Sequence, residues 1–85
     1  MKHILHLVST PIGNYKDITF RAVEILKSSE LIVCEELKPA RRLLSHLGIQ
    51  ADLLELNEHN EKEAASGIIE QILSGKKVSL ISDCG

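Results

Sequence analysis

Apolar positions along this chain follow two rhythms that take turns. Four short apolar runs predict strands: His3 to Ser9, Leu31-Ile32-Val33-Cys34, Ala51 to Leu56, and Val78-Ser79-Leu80-Ile81-Ser82. The second is apolar without interruption, as a strand is when both its faces are covered. Between the runs, apolar residues recur three and four apart. Thr19 to Ser28 predicts a helix with Phe20, Val23 and Leu26 near one face and Asp17 as candidate cap. A second helix is predicted from Pro39, its first residue, to Leu47; Leu43, Leu44 and Leu47 form the buried stripe and Gly48 follows the end. Asn60 to Ser74 predicts a third. Its apolar face is Ala64, Ala65, Ile68, Ile69, Ile72 and Leu73, with Asn60 as cap, Glu63 as reciprocal partner and Gly75 as stop.

Four strands alternating with three helices on short loops predict an α/β domain. Its sheet should be mainly parallel, its order βαβαβαβ and its crossovers right-handed. No linker, repeat or low-complexity stretch divides the 85 residues. Ser82-Asp83-Cys84-Gly85 come directly after a buried strand, where a loop normally leads on, so the chain reads as the front of a longer protein.

Composition bears on partners more than on fold. A hydrophobic content of 44% supports a core, and a net charge of −2 carries no broad electrostatic footprint for nucleic acid. Lys38, Arg41 and Arg42 make one basic cluster and Lys76-Lys77 a smaller one; solvated surface is the ordinary reading of both. Tyr15 and Phe20 are the only aromatic residues, too few for a base-stacking platform. Cys34 and Cys84 each close an apolar run and form no Cys-x-x-Cys pair. Buried free thiols in a reducing cytoplasm are expected. No apolar run approaches membrane-spanning length and the start is no signal peptide, so no membrane partner is expected. His3, His6 and His46 lack metal-ligand spacing, and no metal is expected.

In a parallel sheet the loops after the strands gather along the carboxyl edge, where ligands bind. Here they are Thr10-Pro11-Ile12-Gly13-Asn14, Glu35-Glu36-Leu37-Lys38, Asn57-Glu58-His59-Asn60-Glu61 and Ser82-Asp83-Cys84-Gly85. Polar residues collect there while the strands stay apolar, a pattern that a site and a plain polar surface share. Pro11 fixes φ and Gly13 lets backbone approach a ligand. The first loop is no P-loop, since it lacks a Gly-Lys-Ser/Thr ending.

Five segments, in order, resemble the tetrapyrrole (corrin/porphyrin) methylase superfamily. They are Ser9-Thr10-Pro11-Ile12-Gly13-Asn14, Asp17-Ile18-Thr19-Phe20-Arg21-Ala22, Cys34-Glu35-Glu36, Glu58-His59-Asn60-Glu61 and Ser82-Asp83-Cys84-Gly85. Within the superfamily the chain is most similar to the bacterial small-subunit ribosomal RNA (cytidine-2′-O)-methyltransferases. The resemblance runs through essentially the whole chain. It implies the N-terminal domain of a two-domain fold, with the C-terminal domain lying beyond residues 1–85. It further implies S-adenosylmethionine as methyl donor, and small-subunit ribosomal RNA or the 30S particle as acceptor, with a homodimer among the expected assemblies.

By that likeness Ile12, Gly13, Ser82, Asp83, Cys84 and Gly85 bind the donor. Thr10, Pro11, Asn14, Glu35, Lys38, Asn60 and Glu61 meet the acceptor. Methyl transfer needs in-line positioning, and an attacking ribose hydroxyl benefits from a base. Glu36 is the first candidate for that base and His59 the second. Simpler readings stand beside these: a carboxylate held by loop amides for Glu36, and helix capping for His59 and Asn60. RNA-methylating members carry Glu-Asp-Thr-Arg where this chain has Glu35-Glu36-Leu37-Lys38, and Ala where it has Cys84. Two further readings stay open, a methylase of a tetrapyrrole or other small molecule, and a non-catalytic α/β module binding a ligand or a protein.

Overall fold

The computed structural model of the chain describes residues 5–10 and 17–83. Its elements are β1 (Leu5–Thr10), α1 (Phe20–Ser28), β2 (Leu31–Cys34), α2 (Leu37–Leu47), β3 (Asp52–Glu55), α3 (Glu61–Leu73) and β4 (Val78–Asp83). The four strands form one parallel sheet in the order β1-β4-β2-β3. Val78 is the hinge of the register, level with Leu5 on one side and Leu31 on the other.

That order fixes the layers. The connections from β1 to β2 and from β2 to β3 run one way along the sheet, and the connection from β3 to β4 runs back. Crossovers of one hand therefore place α1 and α2 on one face and α3 on the other. Two apolar clusters match this. Leu26 of α1 and Leu43 and Leu44 of α2 pack with Val8 and Ile32, while Ile68 of α3 packs with Leu31, Val33 and Val78. Every residue of β2 is buried, as its unbroken apolar run predicts. One polar bridge crosses the first layer. Ser29 at the end of α1 donates to the Ile25 carbonyl at 2.8 Å, and with that proton committed it accepts from the buried hydroxyl of Ser79.

Local chemistry sets the helix ends, with four departures from the sequence reading. Thr19, not Asp17, caps α1: its backbone is extended and its hydroxyl accepts from the Ala22 amide at 3.1 Å. Phe20, expected on the buried face, is 79% exposed, and α1 buries Ala22 and Leu26 instead. α2 starts at Leu37, which puts Pro39 third rather than first in the helix; its missing N–H is still one of the first-turn groups that need no helical partner. Gly48 ends α2 in the left-handed region at φ 70°, where its amide meets the Leu44 and Ser45 carbonyls. On α3, Ile69 and Leu73 were expected within the apolar face, yet both stay exposed while Ile68 carries the burial.

β1 lies at the edge of the sheet. Leu5 and Leu7 are level with Val78 and Leu80, so they point to the α3 side; there they remain open, Leu7 at 72% exposure. Thr10 belongs to β1 and Asp83 to β4, so two residues expected in loops extend the strands, while Ser82 lies in β4 as its predicted strand has it.

Candidate functional site at the carboxyl edge

The chain leaves β2 toward α2 on one face and leaves β3 toward α3 on the other. Adjacent strands whose connections part in this way open a crevice at their carboxyl ends, the usual ligand position in such sheets. Glu35 and Glu36 stand on one side of it and Asn57 to Glu61 on the other. The two walls are tied together. The Leu56 amide donates to the Cys34 carbonyl at 2.8 Å, continuing the β2–β3 ladder. The Glu55 carboxylate accepts from the Leu37 amide and from the Asn57 side-chain amide, each at 3.2 Å.

Glu55 was missed in the sequence, yet it anchors the second loop to the third. The available signal was a charged residue near the carboxyl end of the third predicted strand. Its hold on the first amide of α2 decides how Glu36 is read. Glu36 is the N-cap residue of α2, but its side chain makes no capping bond. Glu55 takes that helix amide from across the sheet, and the exposed Glu36 carboxylate has no hydrogen-bond partner among the described residues. The expected alternative, a carboxylate held by loop amides, describes Glu55 rather than Glu36.

Asn60 precedes α3 as its N-cap residue, but it too leaves the helix amides alone. Its side chain turns back, accepting from the Asn57 amide at 2.8 Å and donating to the Glu55 carbonyl at 2.7 Å. The reciprocal capping pair with Glu63 is replaced by this knot, while Glu61 and Glu63 complement the helix dipole from the first turn. The Asn57 side-chain oxygen accepts from the His59 amide at 2.9 Å. His59 itself is exposed, its Nε2 3.7 Å from the carboxylate of an equally exposed Glu58, a surface contact of small energetic weight. Glu35, Lys38 and Glu61 are exposed at the same edge.

Cys34 lies buried beneath the crevice as a free thiol, its sulfur 3.7 Å from the Leu54 carbonyl. Burial pushes its pKa up, the Glu55 carboxylate adds to the rise, and Arg41 opposes it. The group stays a thiol near neutral pH and is unsuited to nucleophilic work.

The second part of the edge is the end of the β1–β4 pair. Ser9 is level with Ser82 and Thr10 with Asp83. Thr10 alternates with Val8 and so points to the α1–α2 side, where it is 1% exposed. Its hydroxyl has no hydrogen-bond partner among the described residues. A buried hydroxyl left alone is costly, and a polar ligand group at this strand end would satisfy it. The residues here therefore fit a ligand with hydroxyl, carboxylate or ammonium groups. Pro11, Ile12, Gly13, Asn14, Cys84 and Gly85, expected at the site, lie outside the described residues. Among the described residues no group of three His, Cys, Asp or Glu side chains could hold a metal ion, and no helix is long and apolar enough to cross a membrane.

Comparison with known proteins adds two findings. Residues 4–85 match the family model described as Tetrapyrrole (Corrin/Porphyrin) Methylases. Among curated proteins, the chain is 42% identical over 82 residues to the "Ribosomal RNA small subunit methyltransferase I" of Buchnera aphidicola subsp. Acyrthosiphon pisum, covering 96% of this chain and 29% of that protein. Proteins of the same name from Halalkalibacterium halodurans and Escherichia coli O157:H7 are 38% and 42% identical, over 99% and 95% of this chain and 29% and 28% of their own lengths. The chain thus spans under a third of the length of these relatives.

Proposed function

The chain belongs to the tetrapyrrole (corrin/porphyrin) methylase family, and from that premise we propose that it is the N-terminal domain of a methyltransferase that 2′-O-methylates a ribose of small-subunit ribosomal RNA. The methyl donor in this reading is S-adenosylmethionine, and a second domain completes the cleft. The relatives' printed name supports the acceptor. The free thiols expected at Cys34 and Cys84 suggest the cytoplasmic setting, and resemblance alone adds the homodimer.

The geometric observation that carries the reading is the hydroxyl of Thr10, buried at the carboxyl end of β1 beside the end of β4 and without a partner among the described residues. When bound, the donor supplies a methyl group activated on a sulfonium. Ser82 and Asp83, with Ile12, Gly13, Cys84 and Gly85, are the residues proposed to hold it, and Thr10, expected at the acceptor, is reassigned to the donor on its buried hydroxyl. Pro11, Asn14, Glu35, Lys38, Asn60 and Glu61 are proposed to receive the RNA. The Asn60–Glu55–Asn57 knot keeps the third loop in place without the acceptor, so less ordering is left to binding. Glu36 takes the proton of the attacking 2′-hydroxyl at its carboxylate, with His59 the second candidate.

The test is methyl transfer from isotopically labelled donor to unmethylated 30S particles by the full-length protein. Label in a ribose of the small-subunit RNA is the expected result. Label only in a tetrapyrrole or another small molecule would move the protein to the other acceptor class. Failure of the full-length protein to bind donor at all would make it a non-catalytic module.

Thr10→Val tests the donor contact. Removing an unsatisfied buried hydroxyl should stabilise the donor-free protein by about 1 kcal/mol and weaken donor binding. Chemical denaturation and calorimetric titration read the two effects. Unchanged donor affinity with a raised denaturation midpoint would make Thr10 a mere structural defect.

A further inference from the structure

We propose that the outward face of α2 is a docking surface for the phosphate backbone of the RNA, leading away from the candidate site; the inference rests on the RNA-methylating reading. α2 carries Lys38, Arg41, Arg42 and His46 and no acidic residue. Helical spacing sets these residues on one stripe with Ser45, opposite the buried Ala40, Leu43 and Leu44. All four cationic or titratable residues are exposed. The stripe spans about 12 Å along the helix, or three to four nucleotide steps of roughly 3.4 Å in a stacked strand.

Three observations separate this stripe from an ordinary solvated face. First, its cations are available. Glu30 and Asp52 line an open cleft with Arg41, yet no carboxylate among the described residues ion-pairs with Lys38, Arg41 or Arg42. Second, Arg41, Arg42, Ser45 and His46 line a shallow hollow, and the planar fork of arginine suits phosphate oxygens. Third, the stripe begins in the first turn of α2, two residues after Glu36, at the crevice where the sheet faces part. A strand placing one ribose in that crevice must lay its flanking phosphates over a neighbouring surface. α3 presents Glu61, Glu63 and Glu70 against a single Lys62, a net negative face that repels phosphate. In a chain with 10 Lys and Arg against 12 Asp and Glu, α2 gathers Lys38, Arg41 and Arg42 with no acidic residue on the same helix.

The test uses the full-length protein, unmethylated 30S particles and protein-free small-subunit RNA. In the double variant Arg41→Gln/Arg42→Gln, affinity for both acceptors should fall about tenfold at physiological salt. The slope of log affinity against log salt should become shallower by about 1.4, near 0.7 per lost phosphate contact. The KM for particles should rise with kcat little changed, and donor affinity should stay at the wild-type value, which also reports intact folding. Arg41→Lys/Arg42→Lys keeps the charges and should recover most of the slope. A double Gln variant with wild-type slope and KM overturns the docking surface while leaving the methyltransferase reading intact. Loss of affinity for particles but not for protein-free RNA would put a ribosomal protein on α2 and equally overturns it. A wild-type protein that binds donor but shows no salt-dependent affinity for either acceptor overturns both readings.

Discussion

Glu36→Gln should lower methyl-transfer turnover by roughly 10²-fold or more, the low end of general-base effects, with donor affinity near wild type. The exchange is close to isosteric and removes the proton acceptor while keeping a polar side chain. The structure isolates the effect. The Glu36 side chain makes no capping bond to α2, and the Leu37 amide is already held by Glu55. Nothing in the helix start depends on the carboxylate of Glu36, so the variant should fold as the wild type does. Single-turnover methyl transfer at saturating donor, together with the denaturation midpoint, separates chemistry from stability. A wild-type rate in a folded Glu36→Gln protein would reduce Glu36 to a surface carboxylate and move attention to His59.

Leu26→Ala should cost about 3 kcal/mol, within the roughly 2–5 kcal/mol typical of a large buried side chain cut back to a methyl group. Leu26 is 0% exposed, and its cluster joins α1, α2, β1 and β2 in one layer. The cavity would therefore open where two helices meet the sheet, a place that one small shift cannot close. A chain of 85 residues has a total stability of roughly 4–13 kcal/mol at the usual per-residue values, so the loss would be a large share. The shift in denaturant midpoint measures it. A loss under about 1 kcal/mol would mean that this layer is loosely packed and collapses around the gap.

How far the sequence could be read depended on which residues competed for a role. β2 was legible because an unbroken apolar run has one comfortable place, the middle of a covered sheet. The end of α2 was legible because Gly48 takes a left-handed conformation that other residues avoid. The start of α1 was not, since Asp17 and Thr19 can both cap and only the path of the backbone chooses. Phe20 fell between templates in the same way: apolar, in rhythm, but in the first turn, where it points to solvent. The strand order with β4 between β1 and β2 needs pairings across the whole chain, which no local pattern encodes.

At the candidate site, the sequence brings the right loops to one edge and allows Glu36 both as a base and as a carboxylate held by loop amides, but it does not single out Glu55, which is the one that is held. Glu36 and Glu55 are 19 positions apart, and only the β2–β3 register brings Glu55 to the start of α2. Asn60 shows the same limit. Its type and position are those of a cap, yet the Glu55 carbonyl at the end of β3 and the Asn57 amide lie closer to hand.

The open flank on the α3 side carries a consequence for how the 85-residue chain behaves in a tube. Leu5 and Leu7 on the sheet edge, with Ile69 and Leu73 on the neighbouring helix, offer greasy surface beside a strand whose outer ladder is unpaired in the described sheet. Edges of that kind recruit further strands, and a net charge of −2 supplies little repulsion between copies. Colloidal behaviour should accordingly be poorest near the isoelectric point, about pH 6.0, and improve in mildly alkaline buffer. The outward-pointing Leu7 is the position where a single glutamate would do most to keep concentrated samples clear, because it both breaks the apolar edge and adds to the negative charge.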